Sequence, residues 1–132
     1  MREILFRGKR LDNGEWAFGY FCEFANNRTG EQESYIQTIK QDGRIDLIHK
    51  VDPATVGQYT GLKDENGKKI FEGDVVKFIR INALGYVTKR TGSVRYYDKL
   101  PIFYIMATTG DAWDWCDCEN IEITATSTTT RS

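Results

Sequence analysis

"YTGLKDENGKKIFEGDVVKF", residues 59–78, holds a glycine at Gly61, an Asn-Gly pair at Asn66-Gly67 and a Gly-Asp pair at Gly73-Asp74 before the apolar "VVKF". Such a density of turn signals belongs either to a binding or catalytic loop or to a tightly turned β-fold. "GQYT" reads as a short strand, "GLKDENGKKI" as a hairpin bent at Asn66-Gly67, and "EGD" as the turn into "VVKFIRI". In that last strand Val75, Lys77 and Ile79 alternate with Val76, Phe78 and Arg80, the period of two that a pleated strand imposes.

The same period runs outward in both directions. In "EWAFGYFCEF" the residues Trp16, Phe18, Tyr20, Cys22 and Phe24 fall on one face of a half-buried strand, with Glu15, Gly19 and Glu23 on the other. The preceding "LDNG" favours a two-residue hairpin turn toward "ILFRG". "ESYIQTI" and "RIDLIHKV" form a second hairpin about "QDG". Asp52-Pro53 then ends the strand, because proline lacks an amide donor, and "DPATV" suits one helical turn with Asp52 as its cap and Pro53 at its first position. Downstream, "GYVTKR", "GSVRYY" and "PIFYIMA" read as strands with turns near Gly85 and Gly92. "GDAWDWCDCENI" reads as an irregular loop or single turn leading into "IEITAT". Turns about every ten residues suit a small β-barrel or sandwich. One all-β domain is therefore expected over residues 1–132: a hairpin region (1–51), a barrel-like region (56–125) and a threonine-rich tail (126–132).

Composition narrows the function classes. The chain has 132 residues, 40% hydrophobic and 13% aromatic, which is enough for a core without metal or disulfide support. A net charge of −1 predicts no general attraction to nucleic acid or to an anionic membrane. No apolar run reaches the roughly 20 residues of a membrane helix, and "MREILFRGKR" has no signal-peptide core. Three cysteines make no even disulfide framework, so a reduced, cytoplasmic protein is expected. Charge is uneven: residues 63–99 carry nine Lys or Arg against five acids, and 111–122 carry only acids.

"VGQYTGLKDENGKKIFEGDVVKF", from Val56 to Phe78, resembles the signature of the YopX family of phage and prophage proteins, and "REILFRGKRLDNGEW" is similar to that family's opening. The central order of Gly57, Gly61, Asp64, Asn66, Gly67, Gly73 and Asp74 carries the likeness. At the C-terminal end only "ENIEI" (Glu119 to Ile123) matches it. The resemblance implies an all-β fold with a barrel-like, SH3-like C-terminal half, a phage origin in a bacterial host, and no enzymatic activity.

The residues themselves give the motif a structural reading. Gly57, Gly61, Gly67 and Gly73 lie at changes of direction, and Asp64 and Asp74 are short acceptors for nearby amides. "GLKDENGKK" lacks the hydroxyl residue and the following helix of a phosphate-binding loop. Cys22, His49, Cys116 and Cys118 are the available zinc ligands, but only "CDC" supplies a close pair, and no metal or other cofactor is expected. Asp111, Asp114, Asp117 and Glu119 could gather a divalent cation, yet nothing marks a catalytic partner. Nucleic acid is the alternative ligand: Lys77, Arg80, Lys89, Arg90 and Arg95 interleave with Phe78, Tyr86, Tyr96 and Tyr97, as on a single-strand-binding barrel. The favoured expectation is a protein-interaction or self-assembling module, a homo-oligomer or one with an unknown protein partner, with Trp113 and Trp115 as contact anchors or as caps on the core.

Overall fold

A computed structural model describes residues 5–97, 102–115 and 118–126; the expected tail beyond Thr126 lies outside them, as do Cys116 and Asp117. The fold is all-β. The strands are β1 (Phe6–Lys9), β2 (Trp16–Ala25), β3 (Gln32–Ile39), β4 (Ile45–Val51), β5 (Gly57–Lys63), β6 (Lys69–Phe71), β7 (Asp74–Ile81), β8 (Val87–Tyr97), β9 (Ile102–Ala107), β10 (Ala112–Trp113) and β11 (Glu119–Thr126). A 3₁₀ turn at Pro53–Thr55 follows β4, capped by Asp52, whose carboxylate accepts from the Ala54 amide at 3.0 Å as the sequence predicts.

The chain divides into two compact units, the first ending at Tyr59 and the second beginning at Thr60. In the first unit the sheet runs β4-β3-β2-β1-β5, all antiparallel. Strand β5 continues into the second unit, where it neighbours β6; the main sheet there runs β10-β9-β8-β7-β11. The expected barrel-like closure is not seen: among the described residues no sheet closes, and in the first unit Arg10 and Val51 meet at an isolated bridge.

The hairpin loops obey two hydrogen-bond schemes. In the loops 40–44, 64–68, 82–86 and 107–111 the first residue's amide donates to the fifth residue's carbonyl, and the glycine in fourth place donates back to the first. The loops 10–15 and 26–31 repeat this scheme with one more residue. The Asn-Gly pairs at Asn13 and Asn66 therefore close longer loops rather than forming two-residue turns. A type I turn needs a left-handed residue to rejoin its strand, and Gly67 takes that role at φ 82°. Aspartate and asparagine side chains hold these loops open: Asp64 Oδ1 accepts from the amides of Asn66 and Lys68, both at 2.9 Å.

Gly92, expected at a turn, instead lies inside β8. A Cβ there would stand 2.6 Å from both Ile105 Cγ2 and the Met106 carbonyl oxygen on β9, so its glycine reflects close strand approach. The first unit packs Ala17, Ile36, Val51 and Val56 with Phe6 and Phe21; the second packs Ile70, Val76, Phe78, Val94, Ile105 and Cys118.

Candidate functional site

The two aspartates of the opening motif are fold devices. Asp64 and Asp74 are buried. Asp64 reaches from its hairpin to the last strand, accepting from the Ile123 amide at 3.1 Å across 59 residues of sequence. Burial opposes ionisation of Asp64, but the amides of Ile123, Lys68 and Asn66 together hold its carboxyl below the ordinary range. Asp74 accepts from the Phe71 amide at 2.8 Å and from the Thr126 hydroxyl at 3.2 Å. Gly61 and Gly73 take φ values of 88° and 96°, and Gly57 is the buried first residue of β5, paired with Arg7.

Two surfaces are left for function. The first is the open face of β2. Trp16, Phe18, Tyr20, Cys22 and Phe24 do share one face, but that face is not the core. Phe18, Tyr20 and Phe24 are 46%, 48% and 51% exposed, whereas Ala17 and Gly19 on the opposite face are buried. The physical reason is close approach: a Cβ at Gly19 would come 2.0 Å from the Gln37 carbonyl oxygen, so no side chain fits at that position, and the core side takes an aromatic only further along, at Phe21. At one end of the row the Arg7 guanidinium and the Lys9 ammonium lie 4.6 and 5.5 Å from the centre of the Trp16 ring. At the other, Phe24 and Tyr35 pack with ring centres 5.6 Å apart. Neighbouring strands extend the apolar area with Ile48, beside Gln37 in register with Tyr20, and with Ile45; both are exposed. The ionic group of this face is closed on itself. Glu33 accepts from Lys50 at 2.7 Å, from Asn26 and from the Tyr35 hydroxyl at 3.0 Å, and these bonds, that of Lys50 foremost, lower its carboxyl to about 2.

The second surface is a groove of about 530 Å³ in the second unit. Its floor is the side of β7 and β8 away from the core, where Lys77 pairs with Thr91 and Ile79 with Lys89. Glu122 of β11 stands on one wall with Glu65, and Thr108 on another. Lys77 Nζ lies 3.5 Å from Glu122 Oε2. A hydrogen bond to Glu122 raises the carboxyl of Glu65, aided by burial and by the neighbour's charge. The Glu65 amide donates to the Ile121 carbonyl at 2.9 Å, which fixes this wall to β11. Asn120, also lining the groove, is the one non-glycine residue with positive φ, 52°, among those described.

The structure distributes the other predicted residues over several settings. Lys77, Lys89 and Arg95 alternate to the face away from the core, and Lys77, Lys89 and the adjoining Arg90 line the groove. Arg80 lies on the side of Phe78, its guanidinium 4.4 Å from the centre of the Trp113 ring. Trp113 and Trp115 are half-buried against the core cluster of their unit, the capping role rather than a protruding one. Tyr96, on the core side, stacks on Phe103 at 5.0 Å, so it offers no free ring for a base. Of the zinc candidates, Cys22 and His49 fall on opposite faces of one sheet and Cys118 is buried in the second core. Among the described residues no three His, Cys, Asp or Glu side chains gather in a metal-binding group. Asp111 accepts from the Thr109 hydroxyl at 3.2 Å, Asp114 is exposed, and Glu119 pairs in register with Ile79. Among the described residues no helix is long and apolar enough to cross a membrane.

Sequence reasoning missed Glu65 and Asn120. The alternation of Lys77 and the acidity of Glu122 were both legible, but their meeting depends on β11 pairing with β7 across some 45 residues (122 − 77).

A family model described as YopX protein matches residues 5–128. No curated protein matches the chain.

Proposed function

The chain belongs to the YopX family, and we propose that it is a non-enzymatic assembly module of a phage or prophage, working in the cytoplasm of the bacterial host. The observation that carries this reading is the exposed aromatic row of β2. Half-exposed Phe18, Tyr20 and Phe24 offer on the order of 300 Å² of apolar surface between them, taking roughly 150–250 Å² for each whole side chain. Ile45 and Ile48 enlarge this to a patch at the upper end of what monomers leave open. With a polar rim, such a patch approaches the roughly 800 Å² per partner of a standard interface.

The partner this face suits is a second copy of the chain. At a net charge of −1 two copies repel each other little. Glu33 and Lys50 on the face are already paired, so covering them strands neither charge. Light scattering on the intact chain should give at least a dimer. Replacing Phe18, Tyr20 and Phe24 together by serine should give a folded monomer, while Trp113→Ala with Trp115→Ala should lower the melting point and leave the mass unchanged. A monomeric intact chain at high micromolar concentration would sink the reading.

A further inference from the structure

We infer that the groove of the second unit binds a nucleoside phosphate, either free or as one link of a single strand. This goes beyond assembly and uses a different surface. The groove's volume, about 530 Å³, lies within the range of roughly 300–1,000 Å³ typical of small-molecule sites. Its chemistry has two ends. Lys89, Thr91 and Thr108 offer an ammonium and two hydroxyls, a donor set for phosphate oxygens. Glu65 and Glu122 offer carboxyl oxygens as acceptors, and Lys77 neutralises part of the charge of Glu122. On the floor the half-buried Ile79, in register with Lys89, adds an apolar contact for a flat ring.

A ligand that fits must carry an anion at one end and a donor-bearing edge at the other, with a flat apolar body between. Inorganic phosphate lacks the edge. Guanine has two adjacent N–H donors, which the two oxygens of one carboxylate accept together; uracil has a single donor between two acceptors. The preference should therefore run guanine over uracil by about tenfold or more, the discrimination of one good two-bond contact.

The test is an amide-resolved NMR titration of the intact chain with GMP, UMP, inorganic phosphate, and single-stranded RNA hexamers with and without guanine. GMP is expected to shift the amides of Thr91, Thr108 and Asn120 at lower concentration than UMP or phosphate. Lys89→Glu should weaken every phosphate ligand. Glu65→Gln with Glu122→Gln should abolish the guanine preference and leave weak phosphate binding, with the melting curve confirming that both variants fold. Saturation by GMP assigns a free nucleotide; response only to the guanine hexamer assigns a strand; either supports the inference. No response to GMP or to the hexamers overturns it, as does equal affinity for phosphate and GMP. The serine variant of the β2 face should bind GMP unchanged, so failure of assembly and failure of this site are separable.

Discussion

Strands β2 and β7 share a pattern and have opposite fates. Each alternates one set of large apolar residues with a second set. In β7 the large set, Val76 and Phe78, is buried and Lys77 meets solvent. In β2 the large set, Phe18, Tyr20 and Phe24, meets solvent, and the core side is Ala17 and Gly19 followed by a partly buried Phe21. Period two identifies which residues share a face; the space available behind the strand decides which face is inside. Where β3 crosses close over Gly19, no side chain can be accommodated at that position, and the rings of Phe18 and Tyr20 on either side point outward.

The strongest way to break this comparison is to truncate one phenylalanine from each strand. Phe78→Ala should cost about 3–5 kcal/mol, the usual loss for an aromatic in a closed core. Phe18→Ala should change stability by within about 0.5 kcal/mol, as at other open positions, when measured under conditions where the chain is monomeric. Denaturant midpoints of equal size for the two variants would mean that β2 is packed like β7. A smaller effect is expected at the loops. Gly67→Val places a β-branched residue at φ 82° with open space around it, so only backbone strain acts, about 1–3 kcal/mol. An unchanged melting temperature would show that the 64–68 loop rearranges without cost.

The smallest effect sharpens the electrostatic side of the open face. The folded carboxyl of Glu33, at about 2, lies below its ordinary 4.5. Ionised Glu33 thus favours the folded state above pH 4.5, and this contribution is lost as pH falls from 4.5 toward 2. The melting-temperature difference between the native chain and Glu33→Gln should shrink through that window. A difference that stays constant there would mean that Lys50, Asn26 and Tyr35 do not hold the carboxylate in solution.

Much of the fold was legible because its signals are local. The hairpins, the Asp52-capped turn after β4 and the final strand each follow from a few adjacent residues. Loop lengths were less legible, since Asn13-Gly14 serves a four-residue loop as readily as a two-residue one. Gly92 was misread because a glycine that admits a neighbouring strand looks, in one dimension, like a glycine that turns the chain. The sites were the least legible. That the row of Trp16, Phe18, Tyr20 and Phe24 faces outward depends on the β3 backbone near Gln37, and the carboxyl pair joins Glu65 to Glu122 only through tertiary structure.

The register of β11 against β7 also fixes an order of birth. The first unit's strands β1 to β4, and the residues of β5 that pair with β1, have all been made by Tyr59. The second cannot complete its sheet until residues 119–126 emerge, because Asp74 pairs with Thr126 and Asp64 waits for the Ile123 amide. Until then Val76, Phe78 and Val94 belong to a sheet without its last strand, with a bare edge that invites pairing with other nascent chains. The vulnerable interval of synthesis therefore lasts from the making of β8 until residues 119–126 emerge.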